Sequence, residues 1–151
     1  MLNFKDKRVL VTGGAGFIGS ELVSQLVEYG AKVTVLDNFS SGKRHYISKH
    51  KIRIIKGDVV DEKIVTKTIK DQEIVFNLAA LPFVPDSYYY PVDFFRVNTI
   101  GSMNVLWASI KSKTVESFVQ ISTSEVYGSA QYHPMDENHP TAPHSTYAVS
   151  K

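Results

Sequence analysis

Three groups of residues in this chain have types and spacings that could do chemistry. In VTGGAGFIG (11–19), Gly13, Gly16 and Gly19 read as G-x-x-G-x-x-G, and the same stretch reads as G-x-G-x-x-G from Gly14. Between a strand and a helix, Gly13 would allow a tight turn and Gly16 would let the backbone approach a pyrophosphate. Gly19 would let the helix pack on the sheet, and the helix N-terminus would offer N–H donors to the phosphates. Asp37 follows Gly19 at the distance where a carboxylate accepts hydrogen bonds from ribose hydroxyls. Tyr147 and Lys151 stand one helical turn apart, so on a helix both would reach from one face. That dyad reads either as half of a proton-transfer site or as the end of an ordinary amphipathic helix.

Those groups need elements to hold them, and the apolar pattern supplies candidates. Apolar, β-branched runs of strand length occur at 8–12, 32–36, 52–57, 74–80 and 117–122. They are continuous rather than alternating, as parallel strands covered on both faces require. Helical patterns at 17–29, 61–70 and 92–109 separate them. The repeated βαβ order predicts a doubly wound α/β sheet with right-handed crossovers, ordered 3-2-1-4-5 in one domain, 1–151. Two irregular stretches, 81–91 with Tyr88 to Tyr90 and 127–146, follow strands, where open α/β sheets bind ligands. For the tyrosines, packing of a loop is an equal expectation.

The composition narrows the classes of function. At 151 residues, with 43% hydrophobic and 21% charged residues, the chain has the balance of one globular domain. A net charge of +2, with cations scattered among acids, gives no footprint for nucleic-acid binding. No apolar run is long enough to span a membrane and no signal peptide is apparent, so a soluble protein is expected. The absence of cysteine excludes disulfides and thiolate metal sites and fits a reducing cytoplasmic setting. Histidines 45, 50, 133, 139 and 144 do not form an H-x-x-x-H pair, so no metal site is expected. Asp37 would repel a 2′-phosphate, which favours NAD over NADP, although Lys43 and Arg44 lie close by. Asp58 is placed either for an adenine contact or for capping the helix that begins near Asp61.

TGGAGFIG, Asp37, GDV (57–59), NLAA (77–80), Asn98 in VNTIGSMNVL, STSEVYG (122–128) and Tyr147-x-x-x-Lys151 occur in one order along the chain. That order resembles the extended short-chain dehydrogenases/reductases, specifically the NAD-dependent nucleotide-sugar epimerases and dehydratases. The resemblance covers essentially the whole chain, with Asn77 standing where many relatives have histidine. It implies a Rossmann-like fold and NAD bound along Gly13, Gly16, Phe17, Ile18 and Gly19. Asp37, Asn38, Asp58 and Val59 would follow, then Leu78, Ala79, Ala80 and Asn98, with Tyr147 and Lys151 at the reacting end. It also implies a nucleotide-sugar substrate and pairing into a homodimer through the 92–109 and Tyr147 helices, while the charge balance and the lack of a long apolar run lead to no expected nucleic-acid or membrane partner.

The resemblance assigns roles as well. Tyr147 would be the base that takes a sugar hydroxyl proton; a free phenol titrates near about 10, and Lys151 and the nicotinamide would favour its ionised form. Lys151 would also hydrogen-bond the nicotinamide ribose, and Thr123 would hydrogen-bond the reacting sugar oxygen. Glu125 resembles the base of a 4,6-dehydratase, which removes the C5 proton before the C6 hydroxyl leaves. Ser124 stands where many dehydratases carry an aspartic acid, so 4-epimerisation and decarboxylation of a UDP-glucuronate-type sugar are alternatives, in that order. In the family further strands and a smaller domain that holds the sugar follow the lysine, so the resemblance makes these 151 residues the N-terminal part of such an enzyme. The contrasting expectation is a truncated relative that binds NAD or a partner without turnover.

Overall fold

The computed structural model describes residues 3–151. Five parallel strands form one sheet: β1 (Arg8–Thr12), β2 (Lys32–Asp37), β3 (Arg53–Lys56), β4 (Ile74–Asn77) and β5 (Ser117–Gln120). Their order is β3-β2-β1-β4-β5, so the chain winds outward from β1 in one direction and then in the other. The crevice beyond the carboxyl ends of β1 and β4 is the switch point where such sheets take ligands. This is a Rossmann-like doubly wound parallel sheet.

Alternation along each strand explains the continuous apolar runs. Val9 and Val11 of β1 face one layer, packed with Val33, Val35 and the helix residues Val23 and Leu26 of α1 (Phe17–Glu28). Leu10 faces the other layer, packed with Leu36 and Val75, with Val65 of α3 (Glu62–Ile69) and with Val105 of α6 (Ser102–Lys111). Both faces are covered, so three successive positions of β1, Val9, Leu10 and Val11, are apolar and buried. Asp61 caps α3, its carboxylate accepting from the Lys63 and Ile64 amides at 3.0 and 3.1 Å. Asp58 therefore does not cap that helix.

Shorter pieces complete the chain: α2 (Arg44–Ile47), α4 (Asp86–Tyr89), α5 (Pro91–Phe94) and, last, α7 (Thr146–Ser150). The helix expected over 92–109 is continuous in path but not in winding, because Phe95–Gly101 forms a π-helical segment between α5 and α6. The segment packs closely on the loop after β3: a Cβ on Gly101 would lie 2.5 Å from Val59 Cγ2. At the amino ends of the strands, Lys7 Nζ bonds Glu73 at 3.1 Å and Glu116 at 2.8 Å, and Arg8 meets Glu73 at 3.3 Å. This clamp ties β1, β4 and β5 at the end opposite the crevice.

Candidate active site

The crevice is built first from the turn after β1. Gly13 has φ +66°, and a Cβ there would lie 2.9 Å from the Ala79 amide nitrogen. Any side chain would thus be both strained and blocked by the chain leaving β4. A Cβ on Gly19 would lie 2.2 Å from the Gly13 carbonyl oxygen, so the first turn of α1 rests on the loop itself. Gly16 differs from both: a Cβ there would meet only the Gly13 oxygen, at 3.2 Å, and the residue opens to the crevice. Gly16 is also the N-cap of α1 and has no side chain to bond the first amides, which leaves them available to an anion.

Asp37 sits at the carboxyl end of β2 and is buried. Its Oδ2 accepts from the Ala15 amide at 2.9 Å and its Oδ1 from the Phe39 amide at 2.8 Å. The carboxylate thereby couples the glycine turn to the loop after β2 while still lining the crevice. Asn38 donates to Asp58 Oδ2 at 2.8 Å, and Asp58 Oδ1 accepts from the Val60 amide at 3.0 Å. Asn38, Asp58 and Val59 thus form one continuous wall of the crevice.

The opposite wall comes from the end of β4. The expected strand 74–80 stops at Asn77, and Leu78, Ala79 and Ala80 turn out of the sheet to line the crevice. Thr12 Oγ1 receives the amides of Leu78 and Ala79, each at 3.2 Å, and donates to Asn77 Oδ1. Asn77 Nδ2 donates to Ser102 at 3.0 Å and to Gln120 at 2.8 Å. One buried amide therefore joins β1, β4, β5 and α6 directly beneath the site, a role that the spacing in the sequence did not reveal.

Tyr147 and Lys151 line the same crevice of about 320 Å³ as Gly13, Asp37 and Ala79. They are on and just after α7, whose N-cap Ser145 accepts the Ala148 amide at 3.0 Å. The Tyr147 ring meets Phe94 edge-on, with centroids 6.4 Å apart. Lys151 Nζ donates to the Ile121 carbonyl at 2.8 Å, at the end of β5, and burial pushes its pKa down. Asn98 stands apart from the crevice lining. It is buried, accepting from the Leu81 amide at 2.7 Å and donating to the Leu81 carbonyl at 3.2 Å and to Ser150 Oγ at 2.9 Å. It braces the Leu78–Leu81 wall against α7, and with it Tyr147 and Lys151.

Thr123, Ser124 and Glu125 follow β5, with Ser124–Tyr127 forming a 3₁₀ turn. Thr123 Oγ1 accepts the Glu125 amide at 3.3 Å, and Glu125 Oε2 accepts from Ser145 Oγ at 3.3 Å. The carboxylate is thus held at the head of the helix that carries Tyr147, while Ser124 is exposed. Of the two irregular stretches, Leu81 and Pro82 line the crevice, whereas Tyr88, Tyr89 and Tyr90 point outward. Residues 128–145 fold around the buried His139, whose Nε2 accepts the Gln131 amide at 2.9 Å and whose ring packs against Tyr127 and Tyr132. Among the described residues no group of three or more His, Asp or Glu side chains gathers to hold a metal ion, and no helix is long and apolar enough to cross a membrane.

The fold and crevice define a dinucleotide-binding α/β protein with a Tyr/Lys pair at one end of its site. Residues 10–151 match the family model described as GDP-mannose 4,6 dehydratase. The chain belongs to that family, within the NAD-dependent epimerase/dehydratase group of short-chain dehydrogenases/reductases. A putative UDP-glucose 4-epimerase of Methanocaldococcus jannaschii is 38% identical over 95% of this chain and 47% of its own length. UDP-glucuronic acid decarboxylase 1 of Danio rerio is 34% identical over 99% of this chain and 37% of its own. Among solved structures, dTDP-glucose 4,6-dehydratase from Streptomyces venezuelae, determined with NAD bound, superposes with a TM-score of 0.90 at 32% identity, covering 95% of this chain and 48% of that one. The chain thus spans less than half the length of these relatives.

Proposed function

We propose that this chain is the NAD-binding part of an enzyme that modifies a nucleotide sugar, and that the reaction is 4,6-dehydration. The cradle fits the cofactor: the glycine turn has no Cβ to block a pyrophosphate, and the uncapped first turn of α1 offers amides to it. Asp37, buried and crevice-lining, would accept from adenosine ribose hydroxyls, and its charge opposes a 2′-phosphate. When bound, NAD supplies reversible two-electron oxidation of a sugar carbon.

The chain's own residues supply the proton chemistry. Tyr147 Oη would take the proton of the sugar C4 hydroxyl, and the Lys151 ammonium would support the negative charge that develops there. Thr123 would hydrogen-bond the same sugar oxygen. Glu125 would remove the C5 proton, which a C4 ketone acidifies, and give it to the departing C6 hydroxyl, because Ser124 is a poor acid for that task; return of the hydride to C6 and a solvent-derived proton at C5 would complete the 4-keto-6-deoxy sugar.

The observation that carries dehydration is the Glu125 carboxylate anchored by Ser145 at the head of the Tyr147 helix. Serine at 124, and relatives named as epimerase and decarboxylase, support 4-epimerisation as the second reading and decarboxylation as the third. The native gene product, supplied with NAD and nucleotide sugars in heavy water, is expected to release one water from its substrate and to leave deuterium at C5. Glu125→Gln should abolish both with NAD binding intact; inversion at C4 without water loss would replace dehydration by epimerisation.

We also read the exposed apolar side chains of Val92, Ile100, Met103 and Ile110 as a face that pairs with a second copy, since they line one side of a helical path. Sedimentation velocity checks this: Met103→Glu should shift a dimer to monomer, and a monomeric wild type would refute it.

A further inference from the structure

A second concave surface lies between α3 and α6, away from the cofactor crevice. It encloses about 970 Å³ and runs toward the loops before β4 and β5, at the opposite end of the sheet. Five lysines line it: Lys63 and Lys67 on α3, Lys70 at its C-cap, Lys111 as the last residue of α6 and Lys113 just beyond. The acids on the same surface are Glu62 and Asp71 alone. Among the described residues none of the five lysines is in an ion pair. Ile69 and Ala108 form an apolar floor, and Trp107 stands beside them half exposed, with Lys111 Nζ 4.8 Å from the centre of its ring.

A row of solvated lysines on a helix is ordinary by itself. Here the row borders a groove with an aromatic wall, which gives an anion both a line of charge and an apolar contact. The spacing selects the kind of anion. Lys63 to Lys70 extends about 10 Å along α3, too far for one phosphate to span. Lys63 and Lys67 are about 6 Å apart along the axis, close to the roughly 7 Å between alternate side chains of an extended peptide. We infer that this groove docks an extended acidic peptide segment of a partner protein, with carboxylates at alternate positions on the lysines and an apolar side chain against Trp107.

This inference is independent of the cofactor reading, and the sequence provides its probe, because Trp107 is the only tryptophan. A blocked oligoglutamate peptide carrying one leucine is titrated into the chain while tryptophan emission is recorded. Saturable change is expected, weakened by added salt because the pairs are exposed. Lys67→Glu should weaken binding by about tenfold, a loss of about 1.4 kcal/mol. Lys32→Glu, a surface reversal outside the groove, should leave it unchanged and controls for net charge. No saturable change would overturn the inference, as would equal weakening by both variants. An equal response to inorganic pyrophosphate would also overturn it, assigning the groove to a phosphate, as would a peptide response that disappears at constant chain concentration in Met103→Ser, which would assign the signal to self-association.

Discussion

Tyr147 and Gly19 carry the two most exposed assertions at the scale of single residues. If Tyr147 is the base, removing its hydroxyl leaves the crevice intact, since its ring contact with Phe94 does not involve oxygen. Tyr147→Phe should therefore lower turnover of the nucleotide sugar by about 10²- to 10⁴-fold with NAD affinity nearly unchanged, as calorimetry and product assay would report. Turnover close to wild type would remove the tyrosine from the mechanism. Gly19→Ala acts on the other half of the site. Its methyl would meet the Gly13 oxygen at 2.2 Å, so either α1 or the glycine turn must shift. Overpacking of this kind costs about 1–3 kcal/mol, and NAD affinity should fall by at least about tenfold; unchanged affinity would show that the turn does not hold the pyrophosphate.

Elements were legible in the sequence where their pattern was long and uniform, and illegible where it was short. The five apolar runs became five parallel strands in the expected order, because each is covered on both faces. Their carboxyl ends were read too far: residues 78–80 and Ile121 keep the apolar character of a strand but, with Ser122, lie beyond its end. Four-residue helices such as α2 and α4 have no periodicity to detect, and Tyr88–Tyr90 lie on and just after α4 rather than in a loop. The π-helical turn at Phe95–Gly101 falls inside the apolar pattern read as one helix over 92–109, and that pattern does not distinguish the two windings.

Side-chain bridges were the other blind spot. Asn98 to Ser150, Asn77 to Gln120 and Ser145 to Glu125 join residues far apart in the chain, which no spacing rule reaches. The Lys7–Glu73 clamp belongs to the same class, and it makes a pH prediction. The Arg8 backbone amide, and then the Lys7 ammonium, hold the Glu73 carboxyl below its ordinary value of 4.5. A depressed carboxylate stabilises the fold above its unfolded pKa and loses that contribution as pH falls through the folded one. The melting temperature of Glu73→Gln should thus lie below wild type at pH 7, with the gap closing as acid takes the pH below about 4.5. A gap that is constant with pH would mean the clamp acts through packing rather than charge.

At the scale of the whole molecule the two ends of the sheet have different work. The amino end is closed by ion pairs, and the carboxyl end gathers the glycine turn, Asp37, the 78–81 wall and the Tyr147–Lys151 pair around one crevice. Most of that gathering could be read from the order of motifs, since a doubly wound sheet brings the ends of β1, β2, β4 and β5 to one side. The choice among reactions was not legible in the order of motifs, because relatives that share it are named as epimerase, decarboxylase and dehydratase alike. Calorimetric titration of the native gene product with NAD, and in parallel with NADP, tests the central claim most directly. Saturable one-to-one binding of NAD, with NADP weaker by about tenfold or more for the charge on Asp37, is the predicted result. Absence of saturable binding by either dinucleotide would contradict the account.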